Sequence, residues 1–147
     1  MQYTEILEGS DAWFVARLVL PDQTNLSRAE ATGGNYAVKI RVFDISSETT
    51  DPASTGGGLH YSVDVAESNT ATYNATILLA TSGAPLITDG YWNGTDDEGY
   101  NFRYRLQNSL ALLEGGHRYK AEFHIPTDDF GTISWTAGVY VRSMLTV

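Results

Sequence analysis

Residues 100–107 read YNFRYRLQ, with Tyr100, Phe102, Tyr104 and Leu106 on one parity and Asn101, Arg103, Arg105 and Gln107 on the other. A period of two places one row of side chains on a core and the next in water. A helix would repeat its apolar positions every three or four residues instead. The pattern recurs at Leu59, Tyr61, Val63 and Val65, with His60, Ser62 and Asp64 between them, and at Tyr36, Val38, Ile40 and Val42, with Lys39 and Arg41 outward. The C-terminus sets Ile133, Trp135, Ala137, Val139, Val141, Leu145 and Val147 on one parity. In GGHRYKAEFHIP, residues 115–126, Tyr119, Ala121, Phe123 and Ile125 face one way, and Arg118, Lys120, Glu122 and His124 the other. Gly115-Gly116 provides a permissive turn before that strand, and Pro126 ends it because proline cannot donate to a ladder.

Turn-rich segments separate these runs. SSETTDPASTGGG (46–58) reads as a mobile loop, and NGTDDEG (93–99) and PTDDFGT (126–132) as acidic turns. Only SLALLEGG (109–116) has the look of a helix, one or two turns long, with Ser109 as its cap and Gly115 at its end. Seven to nine short strands with no long amphipathic helix define an all-β chain. The expected fold is an antiparallel β-sandwich, immunoglobulin-like or jelly-roll, in a single domain over residues 1–147. A chain of 147 residues buries roughly 68–70% of its unfolded surface, enough for a core without crosslinks. It contains no cysteine, so disulfides and thiolate metal sites are excluded.

Candidate chemistry is sparse. No Gly-x-Ser-x-Gly elbow is present, and the three histidines, His60, His117 and His124, do not fall in His-x-His or His-Glu-x-x-His spacing. The sequence therefore reads as non-enzymatic, with no catalytic residue, cofactor or metal assigned. Asn93, Thr95 and Asp97 echo a calcium loop, but Glu98 and Tyr104 stand where an EF-hand needs Gly and Glu. Tyr91 and Trp92 form an aromatic pair near a loop that would suit stacking on a sugar, which makes a carbohydrate-binding module one alternative.

Charge placement says more. The net charge of −9 disfavours a nucleic acid partner, and no apolar run approaches the roughly 20 residues of a membrane helix. The first residues carry neither the basic nor the apolar stretch of a secretory leader, so no signal peptide is expected. Six of the nine basic residues, Lys39, Arg41, Arg103, Arg105, Arg118 and Lys120, lie on outward parities, while acids gather in the turns. If these strands share a sheet, they make one cationic docking face. The stretch 12–20, AWFVARLVL, is apolar on both parities, and Phe43 and Tyr140 are apolar on outward ones. Trp13, Phe14, Val15, Phe43 and Tyr140 are accordingly expected at a contact between copies in a dimer or trimer.

The C-terminal third, YNFRYRLQNSLALLEGGHRYKAEFHIPTDDFGTISWTAGVYVRSMLTV, resembles the C-terminal parts of small virion proteins of tailed bacteriophages. The earlier VARLVLPDQTNLSRAEATGGNYAVKIRVFD looks like the strand, Pro-Asp turn and second strand that open such domains. The likeness is to head decoration (cement) proteins and to β-sandwich baseplate adaptor domains. It implies a structural protein on the capsid exterior, made in the host cytoplasm, with the major capsid protein and itself as partners. A baseplate or tail adaptor is the alternative within that group.

Overall fold

The computed structural model describes residues 3–27, 37–46, 58–66, 77–78, 83, 85–89, 92 and 98–144. The strands are β1 (Tyr3–Leu7), β2 (Ala12–Ala16), β3 (Ala37–Asp44), β4 (Leu59–Ala66), the two-residue β5 (Ile77–Leu78), β6 (Phe102–Leu106), β7 (Arg118–Pro126) and β8 (Thr132–Arg142). Among the described residues one four-residue helix, α1 (Asn108–Ala111), precedes β7. Setting the β5 stub aside, the described residues form seven strands of substance.

Two sheets pack face to face, one ordered β1-β8-β7-β3-β4 and the other β2-β6-β5. Taking β2, β6 and β5 as strands B, E and D, and β3, β4, β7 and β8 as C, C′, F and G, gives the connectivity of an immunoglobulin-type sandwich. The jelly-roll alternative drops out. Tyr119, at the start of β7, supports the same assignment. Its hydroxyl accepts from the Glu114 N–H at 2.8 Å, a tyrosine corner that ties the strand to the turn before it.

The alternation settles into the core as the period requires. Val38, Ile40, Val42, Tyr119, Ala121, Phe123, Ile125, Val139 and Val141 of the larger sheet meet Ala12, Phe14, Phe102, Tyr104 and Leu106 of the smaller one, all buried. Phe123 is central: rings of Phe14, Phe102 and Tyr104 meet it edge-on across the sheets, and Trp135 stacks on it at 4.3 Å.

Several expectations change. β1 pairs with β8 in parallel, so the sandwich is not wholly antiparallel. Ser109 does not cap α1; the Asn108 N–H is met instead by Asp11 Oδ1 at 2.8 Å, from just before β2. Leu112 ends the helix in the left-handed region at φ 52°. The last strand stops at Arg142, and Leu145 and Val147 lie outside the described residues, as do Tyr36 and residues 47–57 of the expected loop.

β1 is held lightly. Tyr3, Thr4, Glu5 and Leu7 are exposed, and Ile6 alone packs against the core. The Tyr3 ring lies where a Gly138 side chain would be: a Cβ there would stand 2.6 Å from Tyr3 Cδ1. Gly138→Ala should therefore push the ring off and cost about 1 kcal/mol, the low end for overpacking, because little core is involved. The expected signature is faster amide exchange along the β1–β8 ladder with protection elsewhere unchanged.

Candidate functional site

The six outward cations do not form one face. Lys39 and Arg41 of β3 and Arg118 and Lys120 of β7 belong to the five-stranded sheet, whereas Arg103 and Arg105 of β6 belong to the other. In a two-layer sandwich those outer surfaces point in opposite directions. Arg103 and Arg105 are also engaged within the chain. Both guanidinium groups lie over the Trp13 ring, at 5.4 and 5.8 Å, and Arg105 binds Asp11 through Nε and Nη2 at 2.8 Å. Arg103 reaches Asp89 at 3.9 Å.

The expected oligomer contacts divide too. Phe14 is 4% exposed and packs on Phe123, so it is core and is not available to a second copy. Trp13 and Val15 are half-buried on the outer side of the smaller sheet. The two-sided apolar run arises because one parity of β2 fills the core and the other carries the arginines of β6.

Phe43 and Tyr140 lie on the outer face of the larger sheet, and the register places them in a pattern. Tyr3 pairs with Gly138, Gly138 with Lys120, Lys120 with Phe43 and Phe43 with Leu59, a single row across all five strands. Tyr3 and Leu59 are each 48% exposed at its two ends. Lys120 Nζ sits 5.3 Å over the Phe43 ring and 2.8 Å from Glu122. The next row joins Glu5, Tyr140 and Arg118. Flanking rows carry Arg41 paired with Asp64 at 3.0 Å, and exposed Lys39. The result is an apolar and aromatic band with Lys120 inside it, bordered by the cations Lys39, Arg41, Arg118 and Arg142 and by the carboxylates Glu5, Asp64 and Glu122.

The histidines occupy three environments. His60 and His124 do not approach each other through strand pairing, because β4 pairs with β3 and not with β7. The register slips between Val42 and Phe43, leaving His60 as the extra residue of a bulge. The bulge turns it toward α1, where Nε2 lies 2.7 Å from Ala111 O and 3.1 Å from Leu112 O. His124 faces outward, with Nδ1 2.8 Å from Ser134 Oγ directly opposite and Nε2 3.4 Å from Glu122 Oε1. Serine, histidine and glutamate thus meet, but as neighbours on a sheet surface. His117, beside the turn, puts Nδ1 2.7 Å from Asp44 Oδ2 and Nε2 3.5 Å from Glu114 Oε2.

At the opposite end Trp92 packs 6.0 Å from Tyr100, with Arg17 over its ring at 5.8 Å. Trp92 is half-buried there, while Tyr91, Asn93, Thr95 and Asp97 lie outside the described residues. Burial, with the hydrogen bond to Asp89 at 2.7 Å, pushes the Tyr100 hydroxyl up to about 12, so it remains a donor.

Four carboxylates are held below their ordinary range, the exposed Asp22 by the Thr24 hydroxyl and N–H and the other three in partly buried settings. For Asp11, burial acts upward, but the Asn108 N–H and Arg105 outweigh it. Asp44 is lowered, against burial, by Ser46 and His117, and Glu122 likewise by Lys120 and His124. Depressed folded values mean stability that is present above the unfolded values, 3.8 for Asp and 4.5 for Glu, and lost as pH falls through the folded ones. The urea midpoint should hold steady above about pH 5 and drop below about pH 4. Asp11→Asn combined with Asp44→Asn should flatten that drop.

Comparison with protein-family models and with curated proteins finds no match to this chain.

Proposed function

We propose that the chain is a non-enzymatic structural protein that acts by docking, as a decoration protein on the outside of a phage capsid that bridges coat subunits. The observation that carries the docking part is the band Tyr3–Lys120–Phe43–Leu59 with Tyr140 beside it, framed by Lys39, Arg41 and Arg118. Apolar side chains in register on a sheet's outer face gain most when covered by another surface, and the cations around them favour an acidic one. The capsid rests on the resemblance of the C-terminal third to phage virion proteins. The same face serves self-association into a dimer or trimer.

Antibody labelling of virions tests the location: label on heads supports the proposal, label at the tail tip transfers it to a baseplate adaptor, and unlabelled particles end both. On purified heads, Lys39→Glu with Arg118→Glu should weaken binding at least tenfold and leave the urea midpoint unchanged. Arg103→Glu with Arg105→Glu should instead lower stability, because those side chains cover Trp13 and hold Asp11. Equal loss of head binding from both pairs, at unchanged stability, would count against the larger sheet as the docking face.

A further inference from the structure

Asp44 ends β3, while Glu114 and His117 stand three residues apart in the turn between α1 and β7, so two segments distant in sequence converge at one end of the sandwich. One ligand atom from each of the three residues lies within 4.8 Å of the others. The two carboxylates approach different ring nitrogens. Asp44 Oδ2 is 2.7 Å from Nδ1, the distance of a charge-assisted hydrogen bond, and so places the proton on Nδ1. The other ring nitrogen, Nε2, is turned toward Glu114 Oε2 at 3.5 Å. Two ligands bound to one tetrahedral zinc at about 2.0–2.1 Å stand roughly 3.4 Å apart. The His117 ring is further set by stacking on Tyr119, 6.1 Å away and tilted by only 20°. The Tyr119 hydroxyl in turn holds the Glu114 backbone.

We propose that Glu114 Oε2 and His117 Nε2 form a half-site for a divalent transition metal of the zinc type, with Asp44 as the carboxylate that fixes the ring's tautomer. A carboxylate behind a metal-binding imidazole raises its basicity and orients it. Nitrogen and carboxylate donors suit zinc better than calcium, which takes oxygens only. Two protein ligands leave coordination positions to water or to an incoming side chain, so the site suits bridging rather than structural closure. Asp44 belongs behind the ring, not in the coordination sphere.

The test titrates the whole chain with Zn²⁺ alone by calorimetry at pH 7.5, together with long-range ¹⁵N spectra of the histidine rings. The expected result is one ion per chain, an apo His117 carrying its proton on Nδ1, and a metal-induced shift confined to its Nε2. His117→Gln and Glu114→Gln should each weaken binding at least tenfold, and Asp44→Asn by about 10- to 100-fold, the range for a partner behind a ligand. His60→Gln and His124→Gln should leave it unchanged. Absence of binding at millimolar Zn²⁺ would overturn the site. So would an apo ring protonated on both nitrogens that zinc does not displace, which would make the cluster an imidazolium clamp. The spectra of the unaltered protein decide the matter even if a variant fails to fold.

Discussion

Asn101→Ala should lower the unfolding free energy by about 3–5 kcal/mol, a large part of the roughly 5–15 kcal/mol typical of a domain. The side chain is fully buried and makes three hydrogen bonds to main chain far away in sequence. Its Oδ1 accepts from the Leu18 N–H at 2.7 Å, and its Nδ2 donates to Leu18 O and Leu26 O, both at 2.8 Å. These bonds pin the hairpin whose arms meet at Val19 and Asn25, and with it the buried Leu18, Leu20 and Leu26. Removing the amide leaves the Leu18 N–H and Leu26 O unsatisfied in the interior, at about 1–3 kcal/mol each. Leu18 O keeps its other partner, the Leu26 N–H at 2.9 Å. Asn101→Asp should be no better, since it gives up both donated bonds and buries a charge. Urea denaturation measures the effect as a lower midpoint at unchanged slope.

Asn101 also shows where the sequence stops being readable. Its parity placed it outward beside Arg103 and Arg105, and on pattern alone that was correct. It is buried because 17–27 folds back across the start of β6, a contact between residues more than seventy positions apart. His60 misleads in the same manner: alternation holds until a bulge shifts it by one, and a one-residue slip exchanges the faces. β1 left almost no hydrophobic signature, since it is a strand by virtue of the edge that β8 offers it. The cap of α1 comes from Asp11, ninety-seven residues away, beyond any local motif. By contrast β6 and β7 were legible almost residue for residue, because each has one face in the core and one outside. Of the Asp44–Glu114–His117 cluster the sequence offered only the short Glu-x-x-His spacing, with nothing to tie Asp44 to it. Its members come together through the β3–β7 pairing, which sets Asp44 opposite Tyr119.

That division identifies the residue on which the sandwich most depends. Phe123→Ala should cost about 3–5 kcal/mol, the range for deleting a fully buried aromatic ring. The reason is position more than size. Phe123 is donated by β7, in the middle of the five-stranded sheet, yet its ring meets Phe14 of β2 at 5.2 Å and Phe102 and Tyr104 of β6 at 5.6 and 6.2 Å. Most of the aromatic contact between the sheets therefore passes through one side chain. The edge-on rings add roughly 0.5–1.5 kcal/mol per pair beyond burial, and the alanine forfeits them together. The neighbours cannot close the gap easily, because each is anchored on a paired strand. Phe123→Leu, which keeps much of the volume, should cost only about 1–2 kcal/mol. Trp135 supplies the readout. Stacked on Phe123 at 4.3 Å and edge-on to Phe102 at 5.4 Å, it should show altered near-ultraviolet circular dichroism and red-shifted emission in the alanine variant while still folded. A Phe123→Ala protein with an unchanged urea midpoint and unchanged tryptophan signals would mean that the two sheets are held together elsewhere.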